Sequence, residues 1–258
     1  MNIRMKGFYF MVNVLVNGCN GRMGQEVIKQ IDNYSNLLLV AGFDQFDNGL
    51  NTFPVFTDTK KINENIDVII DFSVPSATLN ILEYAKTNNI AMVIATTGFN
   101  DEQINIIKDY SKYIPIFKSA NMSFDICLMS RIVANLAQLL KDNDIEIIET
   151  HHHNKIDAPS GTAMLLADSI NKSLGNKMKY VFDRSSIHSK REQNEIGISS
   201  IRGGNIVGEH TVKFFGPFET FEIKHTSYSR SVFADGALKA AEFITTQPAG
   251  LYDMNNLF

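Results

Sequence analysis

Only two cysteines, Cys19 and Cys127, occur in the 258 residues. They stand far apart and neither belongs to a pair with metal-ligand spacing, which excludes a disulfide framework and a cysteine-built metal site and points to a reducing, cytoplasmic setting. Long apolar runs are lacking too. No stretch reaches the roughly twenty residues that span a bilayer, so no membrane-embedded role is expected. Positive charge is not in excess: Lys plus Arg is 24 against 28 for Asp plus Glu, a net charge of −4, which leaves no global field to recruit nucleic acid or an anionic membrane. An anionic ligand therefore needs a local basic pocket. Repeats, low-complexity tracts and long linkers are missing as well.

Arg4 and Lys6 ahead of Phe8-Tyr9-Phe10 have the charge of a secretory start. The apolar stretch is too short, Asn13 and Asn17 interrupt it, and no small-residue cleavage site follows. Met11 opens Met11-Val12-Asn13-Val14-Leu15-Val16, a natural first strand. Residues 1–10 thus read as a disordered, dispensable extension or a misassigned start.

The first half alternates apolar runs with helical patterns, the signature of βαβ units and a parallel sheet. Strands are expected at Val12 to Val16, Leu37 to Phe43, Val68 to Phe72, Ala91 to Ala95 and Ile114 to Phe117. Helices are expected at Met23 to Ile31, Ser76 to Thr87 and Asp101 to Ser111. Near Asn121 to Asp125 the pattern changes: a long helix to Leu140, a strand Ile145 to Thr150, a histidine-rich run, a helix to Leu174, then β-like, turn-rich sequence from Gly197 to Ser227. A last amphipathic helix, Ala234 to Ile244, is placed to return to the first domain. The fold class is α/β, with a parallel-sheet domain over residues 1–123 and 234–258 and a second, α+β domain with a mixed sheet over 124–233.

Gly18-Cys19-Asn20-Gly21-Arg22-Met23-Gly24 falls between a strand and a helix. Glycines there permit a tight turn and close approach of a pyrophosphate to the helix N-terminus. Asn20 replaces the middle glycine of the usual fingerprint, and its tolerance of positive φ is expected to preserve the turn. Arg22 can add a charge-assisted phosphate contact or simply be solvated. Asp44, twenty positions after Gly24, stands where an acidic residue bonds the adenosine ribose hydroxyls. Gln45 follows it where a base could have met a 2′-phosphate, which predicts NADH in preference to NADPH. Ala95-Thr96-Thr97-Gly98 and Ser119-Ala120-Asn121-Met122 close two further strands at their carboxyl ends, the edge where such sheets bind ligands.

Glu149-Thr150-His151-His152-His153-Asn154-Lys155-Ile156-Asp157-Ala158-Pro159-Ser160-Gly161-Thr162-Ala163 concentrates imidazoles, an amine, carboxylates and a helix start. Adjacent histidines cannot easily all face one ion and no HExxH spacing is present, so a metal is not expected. Any single histidine of the run reads equally well as satisfied structure. Taken with Lys155 and the Ser160-Gly161-Thr162 helix start, the run predicts a site that moves a proton and holds an anion. Asp157 reads as a turn residue, Ser160 as the helix N-cap, and Glu149 as a residue able to orient a histidine.

That run, E-x-H-H-x-x-K-x-D-A-P-S-G-T-A, resembles the 4-hydroxy-tetrahydrodipicolinate (dihydrodipicolinate) reductase family. Gly18 to Gly24, Asp71-Phe72-Ser73, Ala95 to Gly98, Ala120 to Ser123 and Val207-Gly208-Glu209-His210 look like family segments too. The resemblance implies a Rossmann-like cofactor domain and a second domain for substrate binding and tetramerisation, closing together around a cyclic imine with two carboxylates. It implies NAD(P)H as cofactor, a dicarboxylate small molecule as partner and a homotetramer. By position, His151 and Lys155 match proton-transfer residues. His152, Gly161 and Thr162 match substrate contacts. Gly18, Cys19, Asn20, Gly21, Arg22, Met23, Asp44, Ala95, Thr96, Thr97, Ser119, Ala120, Asn121 and Met122 match cofactor contacts. Ala95 departs from a common family glycine and Gln45 from a commonly basic position. A related architecture such as an aspartate dehydrogenase accounts for the loop and Asp44 but not for the histidine–lysine run. A non-catalytic dinucleotide sensor needs neither His151 nor Lys155.

Overall fold

Apolar strands alternating with helices build the first part of the computed structural model, which describes residues 11–258. The expected extension at residues 1–10 lies outside the described residues. β1 (Val12–Asn17) leads through the glycine loop into α1 (Arg22–Gln30), and β2 (Leu37–Phe43) and the two-residue β3 (Val55–Phe56) follow. β4 (Val68–Asp71), α2 (Pro75–Thr87), β5 (Ala91–Ile94), α3 (Asp101–Tyr110) and β6 (Pro115–Lys118) complete the run. β4 and β5 are buried at every residue, as strands covered on both faces must be. Pro75 at the start of α2 costs no helix hydrogen bond, and a reciprocal Asn100–Gln103 capping box opens α3.

α4 (Phe124–Leu139) is capped by the Ser123 hydroxyl, which accepts from Ile126 N–H. β7 (Asp144–His151), α5 (Gly161–Ser173), β8 (Lys179–Phe182), β9 (Glu195–Arg202), β10 (Gly208–Phe215) and β11 (Thr220–Ser227) follow. Their sheet has the order β11-β10-β7-β9-β8. It is mixed: β9 runs parallel to β7 and β8, while β10 is antiparallel to β7 and β11. Alternate residues of β7 face inward. Ile145 and Ile147 join a core with Val133 of α4 and Leu166 and Ile170 of α5. Glu149 and His151 continue the same face and are buried with them. The inner face of the sheet thus changes from apolar to polar along one strand, and that change places the site.

α6 (Ser231–Ile244) packs against β4, β5, β6 and α1, and β12 (Gly250–Tyr252) pairs with β6. The first sheet has the order β12-β6-β5-β4-β1-β2-β3, parallel at every pairing. One compact unit comprises the described part of Met1–Met122 with Ser231–Phe258, and the other is Ser123–Arg230. The parallel α/β sheet and the second, mixed sheet are the architecture that the alternation predicts. β3 and β12, at two and three residues, are too short to show a period, and the partly exposed β8 lacks the continuous buried apolar run that marks the equally short β4 and β5. Among the described residues no helix is long and apolar enough to cross a membrane.

Candidate active site

The glycine loop turns at Gly18, whose φ is +78° and whose carbonyl accepts from Gly21 N–H at 3.0 Å. Asn20 does not have positive φ, which corrects the expectation that its tolerance of that region preserves the turn. Its amide instead braces the loop: Nδ2 donates to the Phe46 carbonyl and Oδ1 accepts from Asn51. A side chain at Gly24 would overlap the Gly18 carbonyl oxygen, so α1 approaches the loop at backbone contact. Gly21 caps α1 with no side-chain bond, and helix-start N–H groups suit an anion there.

A cavity of about 530 Å³ opens beside this turn, lined by Gly18, Asn20, Gly21, Asp44, Phe46 and Ser73 among others, with Asp44 its one charged lining residue among those described. Asp44 Oδ2 accepts from Asn20 N–H at 2.9 Å and Oδ1 from Gln45 N–H at 2.8 Å. Each carboxylate oxygen keeps a second acceptor site for a ribose hydroxyl. Burial, with help from the Asp44 charge, pushes the Cys19 thiol up to about 12. It packs against Gly42 as an inert part of the core. Arg22 and Gly21 are exposed, and Met23 is half-buried on the first turn of α1.

Behind the loop lies a network the sequence reading did not assign. Asp71, fully buried, accepts from Asn17 Nδ2 at 2.8 Å and from the hydroxyls of Ser73 and Thr78, both at 2.5 Å. Burial raises its carboxyl against the lowering effect of these donors. Thr96 Oγ1 accepts from Ser73 N–H at 2.9 Å, so the Thr96 hydroxyl ties the end of β5 to this network. Ala95 is buried and Thr97 exposed. In the Ser119 to Met122 loop, Ser119 Oγ donates to the Asn121 carbonyl at 2.6 Å; Ala120 is exposed and the Met122 side chain buried.

In the second unit His151, His152 and His153 have three different environments: buried, half-buried and exposed. His151 is the last residue of β7 and stands on its buried face, whereas His152 and His153 lie beyond the strand, where its alternation no longer holds. His152 and His153 donate their main-chain N–H groups to the carbonyls of Ile206 and Gly204. His151 Nδ1 lies 2.6 Å from Glu149 Oε2. Arg202 Nη1 and Nη2 donate to Glu149 Oε2 and Oε1, each at 2.8 Å, and Ser160 N–H donates to Oε1 at 3.1 Å. Burial works to raise the Glu149 carboxyl, but these donors outweigh it and hold it at about 2. Burial lowers His151, Glu149 opposing and Lys155 and Arg202 adding to the fall. Lys155 Nζ donates to Asp157 Oδ1 at 2.8 Å, with one fifth of the lysine side chain exposed. Gly161 and Thr162 are the first residues of α5, and Ser160 Oγ caps the helix by accepting from Ala163 N–H at 3.2 Å.

His210 completes the cluster. Its Nε2 lies 2.9 Å from Ser160 Oγ, and its ring meets that of His151 edge to face at 5.1 Å between centroids. Burial, reinforced by the neighbouring His151, lowers it to about 3 from an ordinary 6.5. This predicts an acid-sensitive fold. Above pH 6.5 both folded and unfolded chains hold a neutral imidazole. As pH falls below that, the unfolded chain gains a proton that the folded site refuses, at a cost of roughly 3 kcal/mol near pH 4.5. Glu149 adds to the loss below its ordinary value of 4.5. Urea unfolding of the wild type and of His210→Asn between pH 7.5 and 4.5 should show a shallower pH dependence in the variant; equal slopes would refute the assignment.

Sequence reasoning missed Arg202, Asn17 and Asp71 as site-building residues. Asp71 had a signal, in the segment Asp71-Phe72-Ser73. Arg202 had none, because its place beside His151 is a matter of register between β7 and β9.

The chain matches two family models, dihydrodipicolinate reductase N-terminus over residues 12–122 and dihydrodipicolinate reductase C-terminus over residues 125–258. It is 46% identical to the 4-hydroxy-tetrahydrodipicolinate reductase of Clostridium tetani, over 96% of this chain and 97% of that one. The corresponding reductase of Caldanaerobacter subterraneus is also 46% identical, over 96% and 98%. Among solved structures, a dipicolinate-bound dihydrodipicolinate reductase from Paenisporosarcina sp. TG-14 superposes with a TM-score of 0.81 at 26% identity, covering 96% of this chain and 100% of that one. With both halves matched and the histidine–lysine loop built as described, the chain belongs to the dihydrodipicolinate reductase family.

Proposed function

We infer that the chain catalyses the NAD(P)H-dependent reduction of 4-hydroxy-tetrahydrodipicolinate to tetrahydrodipicolinate, with loss of water, in lysine biosynthesis through diaminopimelate. The observation that carries this reading is the loop itself: a buried imidazole at His151, the Lys155 amine paired with Asp157 and an open helix start at Gly161 within eleven residues. A nicotinamide dinucleotide, when bound, supplies the hydride. The chain's own residues supply the rest.

Gly161 and Thr162 offer helix-start N–H groups to a carboxylate. A Cβ at Gly161 would meet nothing within 4 Å, so that end of α5 opens on space for a ligand. Lys155 must exchange its partner Asp157 for substrate, which brings a fixed positive charge to a dianion. His151, neutral and buried, exchanges a proton with the ring, and His152 contacts the substrate. The dipicolinate in the Paenisporosarcina relative is itself a planar dicarboxylate ring, which supports a substrate of that class. In the first unit Gly18 to Met23 receive the pyrophosphate, Asp44 the ribose, and Ala95 to Thr97 with Ser119 to Met122 the nicotinamide side. Residues 1–123 and 234–258 act as the cofactor domain, and residues 124–233 as the substrate and oligomerisation domain of a cytoplasmic homotetramer.

The test is NADH oxidation with freshly generated 4-hydroxy-tetrahydrodipicolinate. Folded protein that does not turn it over would sink the reading. The same assay measures cofactor choice. The cavity presents Asp44 and Gln45 and, among its lining residues, no lysine or arginine. A 2′-phosphate would meet like charge there, so kcat/KM is expected to be about tenfold higher with NADH, the ratio that some 1.4 kcal/mol of repulsion gives. Equal efficiencies, or a preference for NADPH, would overturn it.

A further inference from the structure

We infer that Glu149, clamped by Arg202, is a positioning residue for His151: it holds the ring as the Nδ1–H tautomer and leaves Nε2 as the atom that exchanges protons. The inference rests on the reading of His151 as a proton-transfer group and adds the device that fixes which nitrogen does the work.

The spacing makes the arrangement possible. Glu149 and His151 are two apart on β7, so both side chains stand on its buried face, beyond Ile145 and Ile147. Glu149 has no exposed surface. A buried carboxylate keeps its charge only if its oxygens are satisfied. Here the two-pronged guanidinium of Arg202 takes both oxygens and Ser160 N–H takes Oε1. These groups are donors and nothing else, so Glu149 is present as the anion and can only accept. The nitrogen 2.6 Å from Oε2 therefore donates, and Nδ1 carries the proton.

A neutral ring with Nδ1–H has a bare Nε2. That nitrogen faces Gly208, where an added Cβ would come within 3.1 Å, so glycine leaves this side of the ring uncovered. Arg202 reaches further. Its Nη2 also donates to the Asp157 carbonyl at 2.6 Å, which ties the His151 strand to the loop bearing Lys155 and Asp157. The charged and titratable groups facing His151 are Glu149 on its own strand, Arg202 on β9, His210 on β10 and Lys155 on the following loop. Of these only Glu149 favours the protonated ring. Its removal must lower the ring's titration point as well as free its tautomer.

The tautomer is readable without substrate, by nitrogen NMR of the ring in the full chain labelled at histidine, with His151→Asn giving the assignment. At pH 7.5 the wild type is expected to show Nδ1 protonated and Nε2 bare. In Glu149→Gln the amide oxygen keeps the Oε1 position, where Arg202 and Ser160 donate, and the amide NH₂ faces Nδ1. The tautomer should then reverse, the ring should titrate about one unit lower, and kcat should fall about tenfold or more with little change in KM for NADH, since the proton-transfer group is present but misdirected. Glu149→Asp keeps the charge and should keep the wild-type tautomer with part of the rate. A wild-type ring found as the Nε2–H form would overturn the inference, as would a Glu149→Gln ring unchanged in tautomer and titration. If that variant does not fold, the wild-type ring decides alone. Absence of turnover in the wild type would remove the reductase reading and leave the ring measurement standing.

Discussion

His151→Ala and Lys155→Ala are each expected to lower turnover about a hundredfold or more, the contribution a positioned proton donor or acceptor makes. The structure indicates that neither loss would be an unfolding artefact. Removing the His151 ring leaves Glu149 with the two Arg202 bonds and Ser160 N–H, so no uncompensated buried charge is created. Among the described residues Lys155 pairs with Asp157 alone, whose side chain is more than half exposed. With its carboxylate partner in solvent, such a pair contributes about 1 kcal/mol. The two variants should also differ from each other. His151 is neutral and set back on a strand, so its loss should appear in kcat. Lys155 brings charge to a dianionic substrate, so its loss should raise KM as well. Steady-state rates beside a melting curve for each variant make the check. Near-normal rates in both would reduce the pair to binding residues and remove proton transfer from this loop.

The site was legible in the sequence to the extent that it is local. Glu149, His151, Lys155 and Ser160 fall in one run, and a strand followed by a capped helix forces their faces. The sequence also locates the glycine loop, since the apolar run before it and the helical period after it fix a strand–turn–helix. What it hides is set by partners distant in the chain. Arg202 becomes the clamp on Glu149 only once β9 lies parallel to β7 with His151 opposite Arg202. Asp71 becomes the brace of the cofactor edge only when β1, β4 and β5 lie side by side and bring Asn17, Ser73 and Thr96 to one level. Asn20 shows the same limit from the other direction. Its backbone tolerance was the visible property, while its use, the hydrogen bonds to Phe46 and Asn51, depends on where the loop after β2 folds.

Gly24→Ala is expected to weaken NADH binding about a hundredfold while the second unit stays folded. A Cβ at position 24 would overlap the Gly18 carbonyl oxygen and sit 2.8 Å from Cys19 Cα and 2.9 Å from the Gly18 carbonyl carbon, all backbone atoms. No rotamer change relieves such a contact, so either α1 retreats or the loop does. The loop has little room, since Gly18 holds φ +78° and itself lies against the Phe72 carbonyl. Relieving this overlap moves the helix start off the turn and forfeits N–H groups aimed at the pyrophosphate, a loss of about 3 kcal/mol, or about two decades in Kd. Gly21→Ala is the graded comparison, its Cβ 3.1 Å from the same Gly18 oxygen and able to relax with a small shift. Gly161→Ala, with nothing within 4 Å, should leave NADH binding unchanged. Titration of NADH fluorescence gives the three constants. Equal affinity in the Gly24 and Gly21 variants would mean that backbone contact between α1 and the loop does not shape the cofactor site.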